Sequence, residues 1–229
     1  MRELDRSLKR LNTDYVDIYY MHMPDWVTDI EEALETYTDI VRSGKARYIG
    51  MSNFPSWGVC EALWKAETLG LCKPVVTQMV YNQITRSIDV EFVPFCKAHD
   101  IGLVTYNPLA GGILTGKYKR DVKPTSGRFT VDRLGNMYTG RYWKDDCFDA
   151  VEKLAAIADD AGMTPAEFAA RWVISNPAVT SVLVGFTKET QLLQNMESIE
   201  KGPLPADLLE KCDSIWQDYT GNQFLHIRY

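Results

Sequence analysis

His22 closes the apolar run Tyr15 to Met21 and lies two residues before Pro24. A neutral imidazole at the end of a buried strand can donate a hydrogen bond to a carbonyl oxygen and orient it for hydride attack. By residue type alone it serves as readily as a structural histidine, and its position is what points to chemistry. Ser52, Asn53 and Gln78 stand at the ends of the next two apolar runs, where hydroxyl and amide groups can hold a carboxamide such as that of nicotinamide. Ser-Asn is also common helix-capping chemistry, and that alternative stays open. Gln78 inside an apolar run is harder to dismiss, because a buried amide needs several partners and a ligand is one way to provide them.

Tyr106 can lay its ring beside a planar cofactor, and Gly111, Gly112 and Gly116 can let backbone N–H groups approach a pyrophosphate. Lys117, Lys119 and Arg128 add positive charge there; a solvated loop is the plain alternative. Gly185-Phe-Thr187-Lys188 opens a helical pattern with Gln191 and Asn195 on one face. Helix N-termini attract phosphate, so Thr187 and Lys188 suit a 2′-phosphate, and Gln191 with Asn195 an adenine edge, although polar helix faces are common.

These residues need elements to position them. Glu3 to Leu11 carries Leu4, Leu8 and Leu11 at helical spacing and precedes the strand Tyr15 to Met21. Helix and strand then alternate: Ile30 to Val41 and Ala46 to Met51, Ser56 to Leu69 and Val75 to Tyr81, Val90 to His99 and Ile101 to Tyr106. From Asn107 to about Trp143 the periodicity is weak, which predicts a long functional loop. Helices are predicted over Ala150 to Ala161 and Pro165 to Ser175, the latter opened by Thr164-Pro-Ala-Glu167. A short strand, Thr180 to Val184, precedes helices over Thr190 to Glu200 and Pro205 to Tyr219. Such alternation implies parallel pairing through right-handed crossovers, in a barrel or an open doubly wound sheet. The candidate residues fall just after strands, as at the C-terminal face of a TIM-type barrel. Five strand patterns are visible where a closed (β/α)8 barrel has eight, so the expected fold is an α/β, TIM-type partial barrel lacking about its first three βα units, with residues 1–229 as one domain.

Composition narrows the function classes. A hydrophobic fraction of 45% with 24% charged residues fits an ordinary globular core. No window reaches the roughly 18 apolar residues of a membrane span, and the charged start, Met1 to Arg10, is unlike a signal peptide, so a cytoplasmic protein is expected. Cys60, Cys72, Cys96, Cys147 and Cys212 lack metal-ligand spacing and read as free thiols, with no metal site. A net charge of -6 argues against nucleic acid as a partner.

Taken together, Ser7-Leu-Lys-Arg-Leu11, Asp17 to His22, Gly50-Met-Ser-Asn-Phe54, Tyr106 to Tyr118 and Gly185 to Asn195 resemble the aldo-keto reductase family over essentially the whole chain. Gly127-Arg-Phe129, Tyr138, Arg141-Tyr-Trp-Lys144, Arg171-Trp172, Glu200-Lys-Gly-Pro-Leu204 and the aromatic-arginine tail are most similar to its aflatoxin-aldehyde and succinic-semialdehyde reductase branch. The resemblance implies NADPH as cofactor and a small-molecule aldehyde as substrate. It implies Ser52, Asn53 and Gln78 at the nicotinamide, the loop Asn107, Pro108, Leu109, Ala110, Gly111, Gly112, Leu114, Gly116 and Lys117 with Arg128 along the phosphates, and Thr187, Lys188, Gln191 and Asn195 at the 2′-phosphate and adenine. It also implies a substrate role for His22, and Tyr138, Arg141 and Arg228 lining a pocket whose arginines suit a carboxylate-bearing aldehyde.

The family's general-acid tyrosine, its lysine partner and its aspartate lie in the first three βα units, and this sequence has no counterpart for them, so truncation is expected. Carbonyl reduction by that route needs a proton donor with a tuned pKa. Two readings follow: NADPH-dependent aldehyde reduction with weak or no turnover, or a nucleotide-binding, repurposed protein without redox activity. Exposed sheet edges imply a homo-oligomer in either case.

Overall fold

Helix and strand alternate along the chain as the periodicities require. The structure, a computed structural model, describes residues 2–122 and 124–220. Its order is α1 (Arg2–Leu11), β1 (Val16–Met21), α2 (Ile30–Arg42), β2 (Ala46–Ser52), α3 (Ser56–Leu69), β3 (Pro74–Val80), α4 (Phe92–Ala98) and β4 (Gly102–Tyr106). Two 3₁₀ turns, Ala110–Thr115 and Arg128–Thr130, lead to α5 (Asp132–Tyr142), α6 (Asp145–Asp160), α7 (Pro165–Ile174), β5 (Val179–Leu183), α8 (Glu189–Glu200) and α9 (Ala206–Thr220). The strands form one parallel sheet in the order β1-β2-β3-β4-β5, the α/β arrangement of a partial (β/α)8 barrel. The chain divides into two compact units, residues 1–79 with 87–104, and residues 80–86 with the chain from 105 onward.

In the first unit, the apolar stripe of α1 buries Leu4 and Leu8 against Ile40 of α2 and Ala46 of β2. Asp29 caps α2 by accepting a hydrogen bond from the Glu31 N–H at 3.0 Å. Parallel register sets Tyr20 beside Gly50 and Ser52 beside Gln78, so alternate side chains of β1, β2 and β3 share one face. The Ser52-Asn53 pair does not cap α3; the residue before that helix is Pro55. Gly70 ends α3 in the left-handed conformation at φ 65°.

The second unit is organised around Arg86, of which 4% is exposed. Its guanidinium donates to the Gln83 carbonyl at 3.0 Å, the Cys212 carbonyl at 2.8 Å and the Asp213 carboxylate at 2.6 Å. It also lies 4.3 Å from the Trp172 ring centroid and 5.5 Å from that of Trp216. One cation thereby joins the turn after β3 to α7 and α9. Nearby, Asn176 donates to the Tyr81 hydroxyl at 3.1 Å, and Tyr81 packs on Trp172. Thr164 caps α7 through the Glu167 N–H, as its sequence signature predicts.

The stretch expected as a long loop after Asn107 contains more structure than its periodicity indicates. α5 holds Gly135 and Gly140, residues that disfavour helix, yet at Gly135 the helix passes close to the preceding 3₁₀ turn. A Cβ there would lie 2.7 Å from the Phe129 carbonyl oxygen, so close packing explains the glycine. α6 begins at Asp145 rather than Ala150, with Asp145 and Asp146 in its first turn and Cys147 and Phe148 buried.

All five cysteines are free. Burial pushes the Cys147 thiol up to about 12 and that of Cys212 to about 11. In the unfolded chain these thiols ionise near pH 8.5, so above that pH the unfolded state holds fewer protons than the native one. Stability is therefore expected to fall as pH rises from about 8.5 toward the folded values, read as a declining urea midpoint that Cys147→Ala flattens. Arg86→Met should cost roughly 3 kcal/mol in urea unfolding, because it strands two buried carbonyls and empties a stacking position. Asp213→Asn should cost about 1 kcal/mol or less, since that carboxylate is largely solvated.

Candidate functional site

Two groups of candidate residues form, one in each unit. In the first unit the carboxyl ends of β1, β2 and β3 are tied together by side chains expected at a carboxamide. The Ser52 hydroxyl donates to the Gln78 carbonyl at 3.0 Å, and the Asn53 backbone N–H donates to the same oxygen at 3.2 Å. The Asn53 side-chain amide donates to the His22 carbonyl at 2.9 Å and to the Ser52 hydroxyl at 3.0 Å. Asn53 adopts φ 63°, a left-handed conformation that asparagine tolerates better than most residues.

Ser52 is buried, Gln78 half-buried and His22 exposed. The imidazole of His22 thus stands at a strand end open to a ligand, while its backbone is fixed by Asn53. The loop after His22 is held by Asp25, which accepts hydrogen bonds from the Val27 N–H and the Thr28 hydroxyl. Those two contacts, Thr28 first, lower the Asp25 pKa. Burial raises the Tyr20 pKa, and the nearby Gln78 side chain opposes that rise.

In the second unit Asn107 organises the glycine loop. It sits at φ 62°, and its side-chain oxygen accepts from the Gly111 N–H at 2.7 Å. Its amide donates to the Tyr142 hydroxyl at 3.2 Å, and its backbone carbonyl accepts from the Asn82 amide at 3.1 Å. Ala110, Gly111 and Gly112 follow with φ of 49°, 72° and 99°. The glycines are needed for space as well as for conformation. A Cβ on Gly111 would meet the Tyr138 ring at 2.6 Å, and one on Gly112 would lie 3.3 Å from the Lys117 ammonium.

The expected pyrophosphate donors are already engaged. The Gly111 N–H serves Asn107, the Gly112 N–H donates to the Leu109 carbonyl at 2.8 Å, and the Gly116 N–H to the Ile113 carbonyl at 3.1 Å. Attraction for an anion therefore rests on the side chains of Lys117 and Arg128, both exposed. Lys117 folds back over Gly112 and lies 4.8 Å from the Tyr118 ring, while a Cβ on Gly185 would be 4.0 Å from an Arg128 amino nitrogen. The turn after β4, the segment Gly127-Arg128 and the loop after β5 thus converge on two cations. The Tyr118 hydroxyl is buried there and, among the described residues, meets no hydrogen-bond partner. Left-handed turns, two cations and an orphaned hydroxyl fit the phosphate half of a dinucleotide.

Pro108, Ala110 and Leu114 are buried, so they brace the loop from beneath, and Leu109 is half-buried. Tyr106, Tyr138 and Arg141 come together: burial raises the Tyr106 pKa and the nearby Arg141 charge opposes that rise. Tyr138 lies between Phe129 and Tyr142, and the Arg128 guanidinium is 5.8 Å from its ring. Gln191 has a role that spacing does not reveal. Its side-chain oxygen accepts from the Thr187 N–H at 2.9 Å, the Thr187 hydroxyl at 3.2 Å and the Lys188 N–H at 3.3 Å, capping α8. Asn195 lies one turn further on and is half-buried. Arg228 lies outside the described residues. Asn82 and Thr85 have no signal in the sequence, and Tyr142 has only its place in the Arg141-Tyr-Trp-Lys144 motif; their polar contacts join positions 25 to 57 residues apart.

A profile of the Aldo/keto reductase family matches residues 1–217. The chain is 39% identical over 213 residues to a "Probable voltage-gated potassium channel subunit beta" of Arabidopsis thaliana, covering 92% of this chain and 65% of that protein. It is 35% identical over 232 residues to "Aldo-keto reductase family 7 member A3" of Homo sapiens, covering 95% and 70%. With "Aflatoxin B1 aldehyde reductase member 2" of Mus musculus it shares 34% over 226 residues, covering 93% and 62%. The chain thus spans about 65% of the length of the curated relatives it matches first.

The Gly111 contact is open to a direct check. Gly111→Ala should cost about 3 kcal/mol in urea unfolding, from left-handed strain plus collision with Tyr138. Gly44→Ala, at φ 74° with nothing within 4 Å of the new methyl, should cost about 1 kcal/mol, and equal costs would remove the role given to the Tyr138 contact.

Proposed function

This chain belongs to the aldo/keto reductase family, and we propose that it binds NADPH and serves the reduction of small aldehydes to alcohols. The observation that carries the reading is the convergence of Lys117 and Arg128 on the left-handed turn built by Asn107. On this reading those cations hold the diphosphate, and Thr187 and Lys188 take a 2′-phosphate at the start of α8. Gln191 and Asn195 face the adenine, and Tyr106 offers its ring to the nicotinamide. In the first unit, taken by itself, Ser52, Asn53 and Gln78 are suited to hold a carboxamide. NADPH, when bound, supplies a hydride.

His22 donates a hydrogen bond to the aldehyde oxygen and orients it. In the second unit, Tyr138 and Arg141 suit the remainder of a carboxylate-bearing aldehyde, the carboxylate pairing with the guanidinium group. A proton must also reach the carbonyl oxygen as charge develops there. No residue is assigned above to that transfer, so nucleotide binding by this chain is separable from turnover.

A second reading is a nucleotide-binding protein that does no redox chemistry. The relative named as a probable potassium channel subunit beta, at 39% identity, favours it. Self-association belongs to both readings, since β1 ends the sheet and the register partners Ile18 and Tyr48 are exposed.

Titration of the protein with NADPH, followed by nicotinamide fluorescence, should give saturable binding that Arg128→Ala weakens by about 10-fold through loss of a charge-assisted contact. Adding succinic semialdehyde or 2-nitrobenzaldehyde then separates the readings. Loss of nicotinamide absorbance that His22→Ala slows supports the reductase, and binding without turnover supports the second reading. No binding at all would overturn both.

A further inference from the structure

We propose that Asn53 is a positioning residue rather than a carboxamide contact, its side-chain amide locking the strand end that carries His22 to the strand ends that carry Ser52 and Gln78. This rests on the NADPH reading above and narrows it, leaving the carboxamide to Ser52 and Gln78. The ladder between β1 and β2 ends at Met21 and Met51, and that between β2 and β3 ends at Ser52 and Gln78. Sheet pairing therefore stops one residue short of His22. An exposed imidazole in that place is aimed only if the main chain is fixed on both sides of it. The ladder holds the side toward Met21. On the other side the Asn53 amide donates to the His22 carbonyl at 2.9 Å. Asn53 reaches that far because of its backbone: at φ 63° the chain leaves the strand direction, so its N–H donates to the Gln78 carbonyl at 3.2 Å while its side chain crosses to β1. One residue thereby touches all three strand ends.

The donors decide what Asn53 can offer a ligand. An asparagine side chain carries two N–H donors on one nitrogen. A carbonyl oxygen only accepts, so that nitrogen must face His22, and it also donates to the Ser52 hydroxyl oxygen at 3.0 Å. The Ser52 oxygen is the acceptor there because its own hydrogen is given to the Gln78 carbonyl at 3.0 Å. Both donors of Asn53 are thus engaged within the protein, and turning one toward a carboxamide would release either His22 or Ser52. With the carboxamide on Ser52 and Gln78, the run of hydrogen bonds from Gln78 through Ser52 and Asn53 to His22 sets where the nicotinamide lies relative to the imidazole. Hydride transfer is sensitive to such placement, since a small displacement of reacting groups costs rate steeply.

Proton–carbon NMR of the imidazole signals, recorded without nucleotide at one pH on wild type, Asn53→Gly and Asn53→Asp, tests the hold on His22, whose signal is assigned by its loss in His22→Gln. Asn53→Gly keeps the left-handed turn and removes the amide; Asn53→Asp keeps the shape and cannot donate. Both should move the His22 signal by more than its linewidth and leave that of His99, at the end of α4, in place. Titration calorimetry then compares NADPH with adenosine 2′,5′-bisphosphate, a probe without nicotinamide. Asn53→Gly should bind each within about 3-fold of wild type, whereas Gln78→Ala should weaken NADPH alone by about 10-fold. An unmoved His22 signal in either Asn53 variant, a loss beyond about 3-fold confined to NADPH in Asn53→Gly, or an NADPH affinity unchanged by Gln78→Ala would each overturn the inference while leaving the NADPH reading in place. A wild-type protein that binds neither ligand would overturn that reading and the carboxamide assignment with it, and the nucleotide-free signals would still decide whether Asn53 holds His22.

Discussion

Arg86 is a guanidinium removed almost entirely from water, and much of the second unit is arranged around its needs. An unpaired charge at such a depth would cost several kcal/mol, so its donors must be matched by acceptors held in fixed directions. Two of those acceptors are backbone carbonyls, one in the turn after β3 and one in α9, and two tryptophan rings cover its faces. A carbonyl in a turn and a carbonyl in a helix meet one planar fork only if both elements keep their places. The turn thus fixed contains Asn82 and Thr85, which reach Asn107 and Tyr142. The glycine loop is therefore tied, through Asn107, to a segment whose position the buried cation determines.

The candidate residues rest on a second kind of constraint, in which a ring and a glycine require each other. Tyr20 lies over Gly50 in the first unit, and Tyr138 lies over Gly111 in the second. In each case the glycine admits an aromatic ring to a place a methyl group would fill. Gly50 sits at a register irregularity between β2 and β3 and lies outside the left-handed region, so space explains it, whereas Gly111 needs a left-handed backbone as well.

Much of the architecture was legible in the sequence, because apolar periods of 3.6 and 2 dominate wherever one face of an element is buried. Ser56–Leu69 shows this most clearly: its apolar spacing and Gly70 mark a helix that ends where the glycine turns left-handed. α5 was not legible. Its two glycines argue against helix, and the contact that justifies one of them is with Phe129, outside the helix itself. The strand-end positions of His22, Ser52, Asn53 and Gln78 followed from the alternation of elements, but their mutual hydrogen bonds did not. Asn53 reaches 31 positions back to His22, and no local pattern encodes such a pairing. Arg86 was missed for the same reason, since a lone arginine in a polar turn reads as solvated until Trp172 and Trp216 are brought to it.

The internal pairing of the loop donors changes how an anion would be held in the second unit. A glycine-rich turn suggests backbone N–H groups waiting for phosphate, but those of Gly111, Gly112 and Gly116 already close the turn on itself. Recruiting them would open the turn, at the cost of the conformations that Asn107 maintains. Lys117 and Arg128 carry no such obligation to the backbone, and charge on a side chain is the less costly source of attraction. At the start of α8 the logic differs. The Gln191 oxygen receives three donors from Thr187 and Lys188, so the first turn of the helix is closed by a neutral side-chain acceptor, the kind of contact that a negatively charged acceptor would outcompete at a helix N-terminus.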